Sequence, residues 1–160
     1  MFAIHDKVMY GQTGVCEITE ICQKKFGRQT AAYYVLHPLY GEDTTIYCPV
    51  DSAPASMRAL LDKREVRSLL REMPQLPAQW IENDAKRHTA QAQVLHTGDH
   101  RALMQMIKSL HIRRRERTAE GKRFHQADER ALKEAEALLY REFAQVLGVE
   151  PEEIPAMLGA

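Results

Sequence analysis

The sequence lacks long hydrophobic segments. Its uninterrupted apolar runs are only a few residues long, whereas a helix that crosses a bilayer needs roughly 20 apolar residues. The first residues, MFAIHDKVMY, also lack the basic region and apolar stretch of a secretion signal. We therefore expect a cytoplasmic protein that makes no membrane contact.

Cysteine is scarce and unpaired. The chain has three cysteines, Cys16, Cys22 and Cys48, and no two of them form a CxxC motif. An odd number without that spacing is unfavourable for both a disulfide framework and a zinc site. We expect buried, reduced thiols.

Motifs of catalysis are missing as well. The seven histidines form no HExxH motif, the GQTG turn is too short for a phosphate-binding loop, and no nucleophile elbow or carboxylate pair stands out. The sequence thus predicts a protein that is not an enzyme and that needs no metal or other cofactor.

A net charge is absent, but the charges are sorted by region. With 22 basic and 22 acidic residues, the formal net charge is zero. Residues 1–55 carry −2, residues 101–123 carry +6 and residues 128–160 carry −5. A phosphate backbone or an acidic protein surface senses such a local field within a Debye length of about 10 Å. The acidic end either solvates the last helices or shields the basic region.

The pattern of the chain changes once, near residue 55. Before it, the runs KVMY, GVCEITEIC, AAYYVLHP and TTIYCPV alternate with the turn sequences GQTG, KKFGRQ and LYGED. In the last run, Tyr47 falls on one face of a strand, and Ile46 and Cys48 fall on the other. Four or five antiparallel strands in so short a segment favour a small SH3-like or Tudor-like barrel.

After residue 55 the apolar spacing becomes helical. Asp62 and Glu65 predict a capping box at the start of one helix. A second helix is expected from Pro77 to His96, before a break at Gly98. Its expected inward residues are Ile81, Ala85, His88, Ala92 and Leu95.

Two further helices, and a short last helix after Pro151, complete the expected bundle. The third has Leu103, Met106, Ile107 and Leu110 on one side, and the fourth spans residues 126–147. The whole chain is therefore expected to be α+β. A small β barrel over residues 1–55 precedes an all-α helical bundle over residues 56–160.

The stretch LHIRRRERTAEGKRFH concentrates basic side chains. Its cations are Arg113, Arg114, Arg115, Arg117, Lys122 and Arg123. On a helix, Arg101, Lys108 and Arg115 would form a stripe beside the apolar face, which ends near Ile112. Two interpretations fit: a solvated helix end that complements the helix dipole, or a surface that binds phosphates through forked arginine contacts.

Trp80 is the only tryptophan and is expected near the start of the second helix. A single tryptophan is usually part of a core. With Lys86 and Arg87 two turns further on, an exposed Trp80 would instead suit insertion against unstacked bases.

These motifs, in this order, resemble one family. The segments MFAIHDKVMYGQTGVCEI, YYVLHP, TTIYCPVD, GDHRALMQMIKSL and RRRERTAEGKRFHQADERALKEAEALLYREFA, together with the single tryptophan, are similar to the CarD/CdnL-like bacterial transcription regulators. The similarity covers almost the whole chain. It implies a Tudor-like domain that docks on the RNA polymerase β subunit by strand pairing. It also implies a helical domain that contacts promoter DNA at the upstream edge of the transcription bubble and tunes open-complex stability.

The resemblance also assigns residues. It places polymerase-binding positions at Lys24, Phe26 and Tyr47, and it matches Trp80 to the family's DNA-wedging tryptophan. Better-known members have arginines directly after that tryptophan, whereas this chain continues with IEN. DNA contact is therefore expected to have shifted toward Arg113–Arg123.

The full set of expected DNA-binding residues combines the tryptophan with the neighbouring and the later cations: Trp80, Lys86, Arg87, Arg113, Arg114, Arg115, Arg117, Lys122 and Arg123. The contacts are expected to be mainly to the DNA backbone, and the protein is expected to be a monomer. Two alternatives stay open. One is a protein adaptor whose basic region meets an acidic partner, and the other is an RNA-binding accessory factor.

Overall fold

The computed structural model describes residues 1–159, and the chain divides into two compact units between Leu60 and Leu61. The first unit is a five-stranded sheet with the order β4-β3-β2-β1-β5, in which every neighbouring pair is antiparallel. Its strands are β1 (Lys7–Tyr10), β2 (Gly14–Phe26), β3 (Gln29–Pro38), β4 (Ile46–Pro49) and β5 (Met57–Ala59).

All five strands contribute to one hydrophobic core. Its buried members are Val8, Cys16, Ile18, Tyr34, Leu36, Cys48, Ala53 and Met57. Because β4 and β5 are the two ends of the sheet and still share a cluster, the sheet must curve around its own core. The expected SH3/Tudor-like β fold is thereby confirmed. Burial raises the pKa of the Cys16 thiol to about 11, so this thiol stays neutral at ordinary pH.

The β2–β3 hairpin is longer than the sequence suggested. KKFGRQ is wrongly predicted as a turn over its whole length, because Lys24 to Phe26 continue the ladder opposite Ala31 to Gln29. Only Gly27 and Arg28 form the turn, and Gly27 has a φ of 66°, which glycine adopts without strain. The extension puts Lys24 and Phe26 on a regular strand.

The first unit also extends beyond residue 55. A short helix, α1 (Ala53–Ser56), leads into β5, and β5 pairs with β1 through Met57 opposite Tyr10. That pairing carries the β unit to Leu60, five residues past the expected boundary at residue 55. Strand β5 has three residues, too few for alternation to reveal it.

The second unit is helical, as expected, and the α+β fold class is confirmed. Its helices are α2 (Lys63–Glu72), α3 (Asp84–Thr97), α4 (His100–Ala119), α5 (Gln126–Leu147) and α6 (Ile154–Leu158). The buried side chains include Val66, Leu103, Met104, Ile107, Leu110, Leu132, Leu139, Phe143 and Ile154. Within residues 1–159, no helix has the length and apolar character to span a bilayer.

Most predicted helix ends are found where the sequence placed them. Asp62 and Glu65 form the capping box of α2, with the Asp62 carboxylate accepting from the Glu65 N–H at 2.8 Å. Gly98 ends α3 in the left-handed conformation, and Asp99 caps α4. These signals are local, so tertiary contacts leave them unchanged.

The predicted start of α3 is wrong, and of its expected inward residues only Leu95 is buried. The helix begins at Asp84, because the Asn83 side chain accepts from the Lys86 N–H and acts as the N-cap. Its buried residues are Arg87, Gln91 and Leu95, whereas Ile81, Ala85 and Ala92 are exposed. The helix is rotated from the expected orientation because polar side chains, not alanines, pack against α5.

We expect Asp62→Ala to lower the free energy of unfolding of the helical unit by about 1 kcal/mol, the usual loss on removing an N-cap side chain. Urea unfolding followed by far-ultraviolet circular dichroism measures the change. Arg64→Ala removes an exposed side chain from the same helical turn and is the control. An equal loss in both variants would contradict a specific capping contribution.

Candidate functional site

Three expected polymerase-binding residues share one face of the β sheet. Lys24 and Phe26 lie two residues apart on β2 and so point to the same side. The Lys24 Nζ lies 4.1 Å from the centroid of the Tyr47 ring on β4. Phe26 packs edge-on against Tyr33 of β3, with 5.4 Å between ring centroids. The structure therefore brings Lys24, Phe26 and Tyr47 together.

This face is exposed and lies beside an open sheet edge. Phe26 is 59% exposed and Tyr47 is 42% exposed. Strand β4 pairs only with β3, so its outer edge presents unpaired backbone groups. Exposed aromatic rings next to a free edge are suited to adding a strand from another protein.

Trp80 lies in the irregular segment between α2 and α3, not on a helix. Its indole is half-buried. The guanidinium carbon of Arg87 lies 4.5 Å from the ring centroid, and that of Arg113 lies 5.4 Å away. Both distances are within the range of cation–π attraction. Arg87 and Arg113 are distant in the sequence, yet both contact the same tryptophan.

Arg87 is buried beneath this ring. It is 4% exposed, and its Nε and Nη2 donate to the two carboxylate oxygens of Asp128, each at 2.9 Å. Its Nη2 also lies 2.9 Å from the Asp84 carboxylate, and its Nη1 donates to the Ile81 carbonyl at 3.0 Å. Four of its bonds are thus internal, which makes Arg87 an anchor within the fold rather than an exposed phosphate ligand.

Asp128 is the fully buried partner in this cluster. Burial alone would raise the pKa of Asp128, but hydrogen bonds from Arg87 and Gln91 outweigh that effect and lower the pKa below its ordinary value. The Gln91 amide donates to the carboxylate at 3.0 Å. Asp128 is therefore ionised at neutral pH, and the pair with Arg87 is a true ion pair.

The basic stretch is largely paired within the chain. Arg113 lies 3.3 Å from Glu116, Arg114 lies 3.1 Å from Glu129, and Arg117 donates twice to the Arg123 carbonyl. Arg117 thereby closes the turn between α4 and α5. These contacts leave fewer free cations than the formal charge of the stretch suggests.

A smaller group of cations remains open to solvent. Lys86, Arg115, Lys122 and Arg123 are exposed. Lys122 forms an exposed ion pair with Glu120 at 3.3 Å. Among residues 1–159, the side chains of Lys86, Arg115 and Arg123 have no hydrogen-bond or ion-pair partner. We call these four residues the exposed cations.

The expected basic stripe along α4 is not a continuous free surface. Arg101 forms a forked pair with Glu72, at 2.7 and 2.9 Å. The Lys108 ammonium donates to the backbone carbonyls at Met73, Pro74 and Leu76. Only Arg115 of the stripe stays unpaired among residues 1–159.

Two pockets adjoin Trp80. A mainly apolar one of about 160 Å³ lies between α3 and α4, and its lining includes Ala90, Val94, Met106 and Leu110. A polar one of about 150 Å³ is lined by Trp80 with Arg113, Arg117, Phe124 and His125. The tryptophan therefore borders the basic end of α4 and the turn that follows it.

Two protein-family models match the chain, one for each unit. Residues 2–61 match the CarD-like/TRCF RID domain, and residues 65–159 match the CarD C-terminal domain. The chain belongs to the CarD-like family. The resemblance seen in the sequence is confirmed, and no curated protein matches the chain. Like other members of the CarD family, it is a regulator associated with transcription that interacts with RNA polymerase.

Sequence reasoning missed several residues of the candidate site. Tyr33 belongs to the aromatic face, and the alternation in AAYYVLHP, with Tyr34 buried, was a signal for it. Gln91 and Asp128 had no such signal. An acidic residue in the first turn of a helix ordinarily faces solvent, and only the approach of α3 to α5 buries Asp128.

We expect Arg87→Ala to destabilise the helical unit by about 3 kcal/mol, because it leaves the buried Asp128 carboxylate without its cation. The exposed Arg115→Ala variant should change stability by less than about 0.5 kcal/mol. Urea unfolding of both variants, followed by far-ultraviolet circular dichroism, makes the comparison. Similar small effects from both would mean that Arg87 is not a structural anchor.

Proposed function

We propose that this CarD-family protein docks on the β subunit of RNA polymerase through its β unit and contacts promoter DNA through its helical unit. In this proposal the polymerase-binding residues are Lys24, Phe26 and Tyr47. The DNA contact is made near the upstream edge of the transcription bubble and adjusts the stability of the open complex. The protein acts without catalysis.

The aromatic face beside β4 supports the docking step. An extended polymerase segment can pair with the free edge of β4, and its affinity would come largely from main-chain hydrogen bonds. Phe26, Tyr33 and Tyr47 add apolar area on the adjacent face, where aromatic side chains commonly dominate binding energy.

The single observation that carries the DNA contact is the meeting of Trp80 with the basic end of α4. Arg113 stacks on the indole, and Arg117 and Phe124 line the same polar pocket. An indole beside cations combines stacking with phosphate attraction, which suits a junction between paired and unpaired DNA.

The exposed cations supply the proposed phosphate contacts. Lys86, Arg115, Lys122 and Arg123 project into solvent, and each neutralised phosphate would release counterions. Arg113, Arg114 and Arg117 contribute to the field, although their guanidinium groups are partly engaged by Glu116, Glu129 and the Arg123 carbonyl. Such contacts carry little sequence information.

We expect Phe26→Ala and Tyr47→Ala each to weaken binding to the β subunit by roughly tenfold, a loss of about 1.4 kcal/mol. Calorimetric titration of the full chain into a purified β-subunit lobe measures the affinity. Lys25→Ala is the matched control, because Lys25 lies between Lys24 and Phe26 on β2 and points to the opposite face. Unchanged affinity in the two aromatic variants would contradict the docking face.

We expect a combined Arg115→Ala, Lys122→Ala and Arg123→Ala variant to flatten the salt dependence of promoter binding. The slope of log K against log salt should fall by about 0.9 for each phosphate that the variant no longer neutralises. Fluorescence anisotropy of a labelled promoter fragment with RNA polymerase present measures the slope. The lifetime of the open complex after addition of a competitor should shorten in parallel.

The control variant for this experiment replaces three other basic side chains of the helical unit with alanine. They are the exposed residues Lys63, Arg64 and Arg67 of α2. An equal change of slope in both triple variants would refute a specific DNA surface. Loss of polymerase binding in the first variant would instead favour a protein adaptor. Strong competition by single-stranded RNA would favour the RNA-binding alternative.

A further inference from the structure

The segment that carries Trp80 is held by side chains from two helices. Residues 76–83 have no regular secondary structure. The Lys108 ammonium binds the Leu76 carbonyl at 2.7 Å, and the Ser109 hydroxyl accepts from the Gln79 N–H at 2.9 Å. Arg87 binds the Ile81 carbonyl at 3.0 Å. The backbone is thus fixed on both sides of Trp80.

Arg87 also supports the indole itself. Its guanidinium carbon lies 4.5 Å from the ring centroid, while the Asp128 carboxylate holds it by two bonds of 2.9 Å. Gln91 and His88 approach the same carboxylate, at 3.0 and 3.5 Å. A guanidinium with so many internal bonds has little freedom to move, and it provides a rigid, flat platform for an aromatic ring.

The ring is supported but not enclosed. Trp80 is half-buried, and the apolar pocket of about 160 Å³ beside it stays open. A tryptophan whose role was only to fill a core would be surrounded by packed side chains. Here Arg87, which Asp128 holds in place, contacts the ring, and part of the ring remains accessible.

We infer that Arg87 and Asp128 are positioning residues that fix the orientation of Trp80 for contact with promoter DNA. The inference rests on the DNA contact proposed above. A ring that inserts at a distorted base step acts as a wedge, and a wedge that rotates freely would lose conformational entropy on binding. The Asp128–Arg87 pair removes that freedom before DNA arrives, as a preorganised site requires.

The first measurement is made on the free, full-length protein. Trp80 is the only tryptophan, so time-resolved fluorescence anisotropy reports its motion alone. In the wild type the indole should rotate only with the whole molecule. Arg87→Lys keeps the positive charge but loses the forked bonds and the flat platform, and it should add a fast component on the picosecond-to-nanosecond scale of free side chains.

The second measurement is the lifetime of the polymerase–promoter complex. Arg87→Lys should shorten it to the same extent as Trp80→Ala, and in the Trp80→Ala background it should have no further effect. That double-variant result separates action through Trp80 from general destabilisation, since a merely structural role would add to the loss of the ring.

Two more variants keep the test interpretable. Arg101→Lys disrupts the exposed forked pair with Glu72 and contacts no part of Trp80, so it should change neither readout. Asp84→Asn weakens one anchor of Arg87 at an exposed carboxylate, so it should free the ring partly even if Arg87→Lys fails to fold.

The possible failures are distinct. An immobile indole in both Arg87→Lys and Asp84→Asn would overturn the inference, as would a mobile indole with an unchanged lifetime when Trp80→Ala shortens it. A Trp80→Ala variant with wild-type lifetime would refute the proposed DNA contact of Trp80 itself, and the positioning role would fall with it.

Discussion

The buried ion pair between Arg87 and Asp128 organises the helical unit. A carboxylate without solvent exposure must be neutralised and fully hydrogen-bonded, because transfer of an unpaired charge from water is costly. Asp128 meets this requirement with Arg87 and Gln91, which obliges α3 to present its polar side chains to α5. The rotation of α3 and the placement of Arg87 against Trp80 follow from that requirement, and Lys108 and Ser109 of α4 also hold the segment before α3.

The basic stretch shows how formal charge differs from available charge. Residues 101–123 carry +6, yet Arg101, Lys108 and Arg117 form bonds that hold helices and turns in place. Long cationic side chains can either hold the fold together or bind phosphates, because carbonyl oxygens and carboxylates compete with phosphate for the same donors. The unpaired part of this stretch is smaller than its formal charge suggests and lies around the end of α4.

The two units offer different means of recognition. The β unit presents a short edge strand next to exposed aromatic rings, which in the proposed function supply main-chain pairing and side-chain contacts with the polymerase. The helical unit presents one half-buried indole, which Arg87 and Arg113 contact near the basic end of α4. A regulator that interacts with RNA polymerase can thus separate the task of attachment from the task of acting on a neighbouring molecule.

Local signals were enough to predict the fold class and most element ends. The alternation in TTIYCPV, the capping box at Asp62 and the break at Gly98 depend on neighbouring residues only, and the structure agrees with each. Family membership also followed from the order of motifs along the chain. Tertiary structure alone decided which arginines are buried and what supports Trp80. The sequence does not indicate which residue a charged side chain will pair with, and Asp128 lies 41 positions from Arg87 in the chain. Only the packing of α3 against α5 excludes water from both and converts two ordinary surface residues into an anchor.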